Sequence, residues 1–240
     1  MTIAIVSAMH EELAAVLALM PDEQRQLAAG REFWVGHLHG QPVVAVLSRI
    51  GKVAAATTAT VLIERFGVSR IVFTGVAGGL APGVNVGDVV VADSFVQHDL
   101  DASPIFPKYE VPLYGVDRFA ADAALSEQLS RAAQRALPGV RLHRGLVASG
   151  DRFVSTTVES LALQAALPQA LAVEMEGAAI AQVCHDYGVP FAAVRTISDR
   201  ADDAAHVDFT RFIREVASRH SAAIVEALLA GPATSTSRAS

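Results

Sequence analysis

The chain has 240 residues, 52% hydrophobic and 18% charged, enough apolar material for a sizeable core and too much for a disordered chain. A formal net charge of −6 disfavours a nucleic-acid or anionic-membrane surface, since both need concentrated Lys and Arg. The single cysteine, Cys184, excludes an intrachain disulfide framework. No apolar run reaches the roughly 18 residues of a membrane helix. The apolar start, Ile3 to Met9, is too short for a signal peptide and runs into His10-Glu11-Glu12. A soluble, cytoplasmic protein is expected.

In chain order, apolar runs alternate with helix-like segments. Thr2–Ser7, Phe33–Leu38 and Pro42–Ser48 read as strands, and Gly51–Phe66 as a helix. Arg70–Thr74 is a short strand running into Gly75-Val76-Ala77-Gly78-Gly79, which reads as a tight strand-to-loop turn. Gly87–Phe95 is a strand and Ala120–Ala136 a helix. Gly145–Ser149 is a strand, and Val158–Ala166 a helix stopped by Pro168. Ala172–Glu174 ends a strand, and Gly177–Tyr187 is a helix closed by Gly188. In that helix Cys184 reads as a packed small hydrophobe. Phe191–Ile197 is a strand and Phe209–Leu229 a long amphipathic helix. This alternation predicts one α/β domain over residues 1–230: three layers, α/β/α, around a central mixed sheet. Residues 231–240, rich in Ser, Thr and Ala, read as a flexible tail. Residues 98–117 form the longest irregular stretch, with Pro104, Pro107 and Pro112, and a loop of that length usually covers something.

The chemistry-bearing residues gather after apolar strands, where open α/β sheets bind ligands. Glu11 and Glu12 follow the first strand. Adjacent acids face different directions on a helix, so only one of them enters a site. Glu174-Met175-Glu176 lies between apolar flanks, and a buried acid needs a partner or a ligand. Asp199 directly follows the strand Phe191–Ile197, with Arg195 and Ser198 beside it. Asp202, Asp203 and Asp208 read instead as loop solvation and the start of the last helix. No zinc, EF-hand, phosphate-loop or nucleophile-elbow pattern occurs.

Taken in order, several segments carry a resemblance. They are Ile3-x-Ile5-x-x-Ala8-Met9-x-Glu11-Glu12, Gly51-Lys52-Val53-Ala54-Ala55-Ala56, Thr74 to Leu80, Val86 to Val91, Ser149 to Val154, Ala172 to Glu176 and Arg195 to Asp199. Together they span nearly the whole chain, and it closely resembles the 5′-methylthioadenosine/S-adenosylhomocysteine nucleosidases of the purine nucleoside phosphorylase superfamily. The resemblance implies hydrolysis of an adenine–ribose N-glycosidic bond, with release of adenine and a 5′-thio-substituted ribose. It makes Asp199 the acid to adenine N7, with Ser198 orienting it, and Glu12 the base polarising the attacking water. Glu176 would accept from the ribose hydroxyls and Arg195 would order that end. Val76, Ala77, Gly78, Val154, Glu174 and Met175 would line the nucleoside, and Phe153 would stack on the base. Met9, Ile50 and Phe209 would hold the 5′-alkylthio group. No metal and no organic cofactor are implied. The family forms homodimers, which makes Ile105, Phe106 and Pro112 candidate contacts to a neighbouring subunit.

Two positions depart from the family pattern. Val76 stands where Ser is expected. Arg49 stands where a small residue is common, and its charge is placed to pair with Glu12 or to bind phosphate. The competing readings are therefore a phosphate-dependent purine nucleoside phosphorylase, a hydrolase of a related nucleoside (5′-deoxyadenosine or a futalosine type), and a non-catalytic nucleoside-binding module.

Overall fold

The computed structural model describes residues 1–202, 212 and 216–231. Phe209, Asp203, Asp208, the start of the expected last helix and the tail beyond residue 231 lie outside the described residues.

The described chain runs β1 (Ile3–Ser7), α1 (His10–Leu17), β2 (Gln24–Ala28), β3 (Arg31–Leu38), β4 (Gln41–Leu47), α2 (Lys52–Phe66), β5 (Arg70–Gly79), β6 (Val89–Gln97), β7 (Arg118–Ala120), α3 (Ala123–Ala136), β8 (Leu142–Ser149), α4 (Thr157–Ala166), β9 (Ala170–Glu174), α5 (Gly177–Tyr187), β10 (Phe191–Asp199) and α6 (Ser218–Leu229). Every residue of β1 is buried, as expected of a strand covered on both faces. Its alternate side chains enter different cores. Ala4 and Val6 pack with Ala55, Leu62 and Ala178 of α2 and α5. Ile3 and Ile5 pack with Leu13, Leu129 and Ile224 of α1, α3 and α6. That period-two split produces the helix–sheet–helix layering.

The sheet is mixed. β1 lies parallel between β4 and β5, and β3 and β2 extend that side by antiparallel pairing. On the other side β5 pairs with both β10 and β9, while β6 and β8 join those two. These five strands close into a ring, so the sheet is partly rolled into a barrel.

Local signals set several ends. α2 and α5 stop at Gly67 and Gly188, both left-handed with φ of 59° and 63°. Asp122 and Thr156 cap α3 and α4, accepting from the N–H groups of Leu125 and Glu159. Two expectations change. Gly75 to Gly79 is not a turn: β5 continues through it to Gly79, fully buried. β2 is a polar edge strand with no sequence signature, created by a hairpin through Ala29 and Gly30, both at positive φ.

Candidate active site

Parallel pairing of β1, β4, β5 and β10 brings their C-terminal ends to one edge of the sheet, where β9 also ends. A cavity of about 460 Å³ opens there. Val76, Ala77 and Gly78 of β5 form one wall, Val173, Glu174, Met175 and Glu176 another, and Ser198 and Asp199 a third. Ala8, Met9 and Ile50 close one end, and Arg152, Phe153 and Val154 also line the cavity.

The glycines of β5 follow from what lies across the strand. β10 pairs with β5 in register Arg195 to Gly75 and Asp199 to Gly78. A Cβ on Gly75 would lie 3.0 Å from an Arg195 guanidinium nitrogen, and one on Gly78 would lie 2.9 Å from Asp199 Oδ1. Ala201 Cβ would lie equally close to a Cβ on Gly78, so glycine is needed at these two positions for space, not for a bend.

Asp199 is buried. Its Oδ2 accepts from Ser198 Oγ at 2.7 Å and its Oδ1 from the Ala201 N–H at 2.8 Å. Glu176 occupies the residue before α5, and its Oε1 accepts from the Gly51 N–H at 3.0 Å. Burial, and after it the charge of Glu174, pushes the Glu176 carboxyl up to about 7. The strand ends at Glu174, so the turn breaks strict alternation and all of Glu174, Met175 and Glu176 reach the cavity.

Glu12 has no accessible surface. It sits on the first turn of α1 behind Ala8 and Met9, reaches back to accept from the Met9 N–H at 3.2 Å, and receives Ser221 Oγ at 3.4 Å. Burial pushes its carboxyl up to about 7 against the opposing charge of Arg195. Its neighbour Glu11 is exposed. Arg195 is 1% exposed and does not reach the cavity wall. It donates to Glu174 Oε2 at 2.7 Å and lies 3.7 Å over the Phe73 ring. It therefore supports the site from behind, through Glu174.

Glu174 lines the cavity, yet its oxygens are engaged. They take the Arg195 guanidinium, the Gly177 N–H at 2.9 Å and a short bond from Ser149 Oγ. Ser149 in turn accepts from the Ala178 N–H at 2.8 Å. Sequence reasoning gave Ser149 no role; its signal was a polar residue at the buried end of an apolar strand. A second missed group is a clasp. Lys52 Nζ meets Asp99 at 2.5 Å, the Lys52 N–H donates to Asp151, and the Asp151 N–H donates to Asp99. The clasp joins the start of α2 to the loop after β8 and fixes Gly51 against Glu176.

Arg49 does not pair with Glu12. It is exposed, at φ 63°, and donates to the Gly30 carbonyl. Ile105, Phe106 and Pro112 do not line this chain's cavity, and Ile105 is 83% exposed. Cys184 is buried, and burial pushes its thiol up to about 12, as for an inert packed residue. Among the described residues, no three His, Cys, Asp or Glu side chains cluster as metal ligands.

A partly rolled mixed sheet with buried acids at its strand ends defines the class: residues 2–230 match the family model of the phosphorylase superfamily. A 5′-methylthioadenosine/S-adenosylhomocysteine nucleosidase of Shewanella denitrificans is 40% identical over 231 residues, covering 95% of this chain and 99% of the relative. The crystal structure of the Neisseria meningitidis nucleosidase of the same name, in complex with methylthio-immucillin-A, superposes with a TM-score of 0.90 at 36% identity, covering 95% and 98% of the two chains. A futalosine hydrolase of Helicobacter pylori gives 0.88 at 33% identity, covering 95% and 97%. The chain belongs to the phosphorylase superfamily and, within it, to the family of 5′-methylthioadenosine/S-adenosylhomocysteine nucleosidases.

Proposed function

We propose that this protein hydrolyses the N-glycosidic bond of 5′-methylthioadenosine and S-adenosylhomocysteine. The observation that carries the reading is a cavity lined by two buried acids, Glu176 and Asp199, with a third, Glu12, buried behind its Ala8–Met9 end. Adenine lies against Phe153, with the main chain of Val154 at its N1/N6 edge. Asp199, steered by Ser198, gives its proton to adenine N7. Glu12 takes a proton from water, whose oxygen bonds to C1′ as the C1′–N9 bond breaks. The ribose lies on Met175, and Glu176 accepts from its hydroxyls. That interaction strengthens as positive charge grows on the sugar. Met9 and Ile50 face the 5′-thioether, with Phe209 proposed beside them. Arg195 holds Glu174 and tempers the charge of Glu12 and Glu176.

The exposed apolar residues of the 98–117 loop, Ile105 and Leu113 at 83% and 92%, support a homodimer in which Ile105, Phe106 and Pro112 meet the second copy. Methionine salvage in the cytoplasm is the setting we propose, supported by the lone, unbridged Cys184.

The test is adenine release from both nucleosides, first in phosphate-free buffer and then with phosphate. Release without phosphate, with free thioribose as the second product, is expected. Release only with phosphate, yielding a sugar 1-phosphate, overturns hydrolysis. Turnover of a futalosine-type nucleoside instead assigns the chain to the chemistry of that structural relative.

A further inference from the structure

A second cavity, about 630 Å³, adjoins the first, and the two share Ala8, Met9 and Ile50 as walls. Its remaining lining has two characters. Leu13, Trp34 and Leu47 are apolar, whereas Arg31, Glu32 and Arg49 carry charge.

The two arginines are poorly compensated. Among the described residues, Arg31, 9% exposed, donates only to the carbonyls of Ala29 and Ala54, at 2.8 and 3.1 Å, and its buried Nε–H has no partner there. Arg49 donates to the Gly30 carbonyl and holds a left-handed backbone that non-glycine residues rarely adopt. Among the described residues neither arginine meets a carboxylate within 4.0 Å. Burial, and after it the charge of Arg49, disfavours the Arg31 cation. Two neighbouring cations without a carboxylate partner repel one another, and an anion in the cavity would offset that repulsion. Glu32, the acid on this wall, is paired at 2.7 Å with Arg25, and both are about half exposed, so that pair is weak and exchangeable.

We propose that Arg31 and Arg49 form a carboxylate subsite for the far end of an extended 5′ substituent. It would favour nucleosides whose 5′-thioether tail ends in an α-amino acid. This rests on the nucleosidase reading above. The thioether passes Met9 and Ile50, and the methylenes lie on Leu13, Leu47 and Trp34. The carboxylate lies against a fork of Arg49 and the cavity-facing edge of the Arg31 guanidinium, and Glu32 faces the ammonium. A methylthio group has nothing to place in this second cavity.

The experiment compares adenine release from S-adenosylhomocysteine, its decarboxylated 3-aminopropylthio analogue and methylthioadenosine. For the native protein, kcat/KM should favour the carboxylate-bearing substrate over the decarboxylated analogue by about tenfold, through KM. Arg49→Gln should lower the ratio of kcat/KM for S-adenosylhomocysteine to that for methylthioadenosine by about tenfold, and added salt should lower it in the native protein. Equal turnover of carboxylated and decarboxylated substrates by the native protein refutes the subsite and needs no variant. So does a ratio unmoved by Arg49→Gln. Failure of the native protein to cleave any of the three refutes the nucleosidase reading, and the subsite falls with it.

Discussion

Glu12→Gln separates the burial of this acid from its chemistry. The amide keeps the shape and still accepts from the Met9 N–H, which the carboxylate holds at 3.2 Å. It removes the charge. The folded carboxyl is pushed up to about 7 from the usual 4.5, so folding raises its affinity for a proton. The stability this contributes is fully present below the unfolded value and is lost as pH rises through the folded one. At 1.36 kcal/mol per pKa unit, ionisation disfavours the fold by about 0.8 kcal/mol at pH 5 and about 3.4 at pH 8.5. Glutamine at this position does not titrate. The stability of the variant relative to the native protein should therefore rise by about 2.5 kcal/mol between those two pH values. Urea unfolding at both measures the difference directly. Adenine release should meanwhile fall by about a hundred- to ten-thousandfold, as for loss of a general base. If the two proteins keep the same stability difference at both pH values, Glu12 is not a desolvated carboxyl. If the variant turns over normally, it is not the base.

Asp199→Asn should leave the unfolding temperature near the native value and remove at least about a hundredfold of kcat in adenine release. Arg195→Met strands the Glu174 carboxylate, whose side chain is 3% exposed, and should cost about 3 kcal/mol in urea unfolding. Because the charge of Arg195 lowers both Glu12 and Glu176, the acid limb of kcat/KM in any residual activity should also move to higher pH. Gly177→Ala places a Cβ 2.5 Å from Phe95 Cε1, on a ring with no accessible surface. Overpacking should outweigh the gain in helix propensity and lower stability by about 1–2 kcal/mol by calorimetry, and an unchanged or raised melting temperature would sink that account.

What the sequence carried locally was readable. The β1 run, the α2 helix and the Gly188 stop of α5 are encoded by periodicity and capping within a few residues, and each appears in the structure. β2 was not readable, because Gln24–Ala28 has no apolar alternation and exists only through pairing with β3. The glycines of β5 misled for a related reason. Glycine normally weakens a strand, and its cause at Gly75 and Gly78 is the closeness of Arg195, Asp199 and Ala201, more than a hundred residues away along the chain. Asp199 and Glu176 are legible from strand-end position and burial, whereas strand parity opposes Met175 to the acids and only the resemblance puts it at the site. The supporting roles were not accessible that way. Arg195 behind the wall, Ser149 under Glu174 and the clasp through Lys52, Asp99 and Asp151 all depend on loops that meet only in the fold. The proposed contact of Arg49 with Glu12 failed because the backbone at Arg49 turns its side chain to Gly30.

Three acids with almost no solvent access, Glu12, Glu174 and Glu176, share the charge of the Arg195 guanidinium. Two of the three, Glu12 and Glu176, bind protons more tightly than free glutamate. Near neutral pH the pocket is thus divided among protonation microstates rather than fixed in one. A ligand that prefers one of those microstates must exchange protons with the bulk solution as it binds. The heat of binding would then track the ionisation enthalpy of the chosen buffer, and affinities compared between buffers or pH values would differ even where every contact to the ligand is the same.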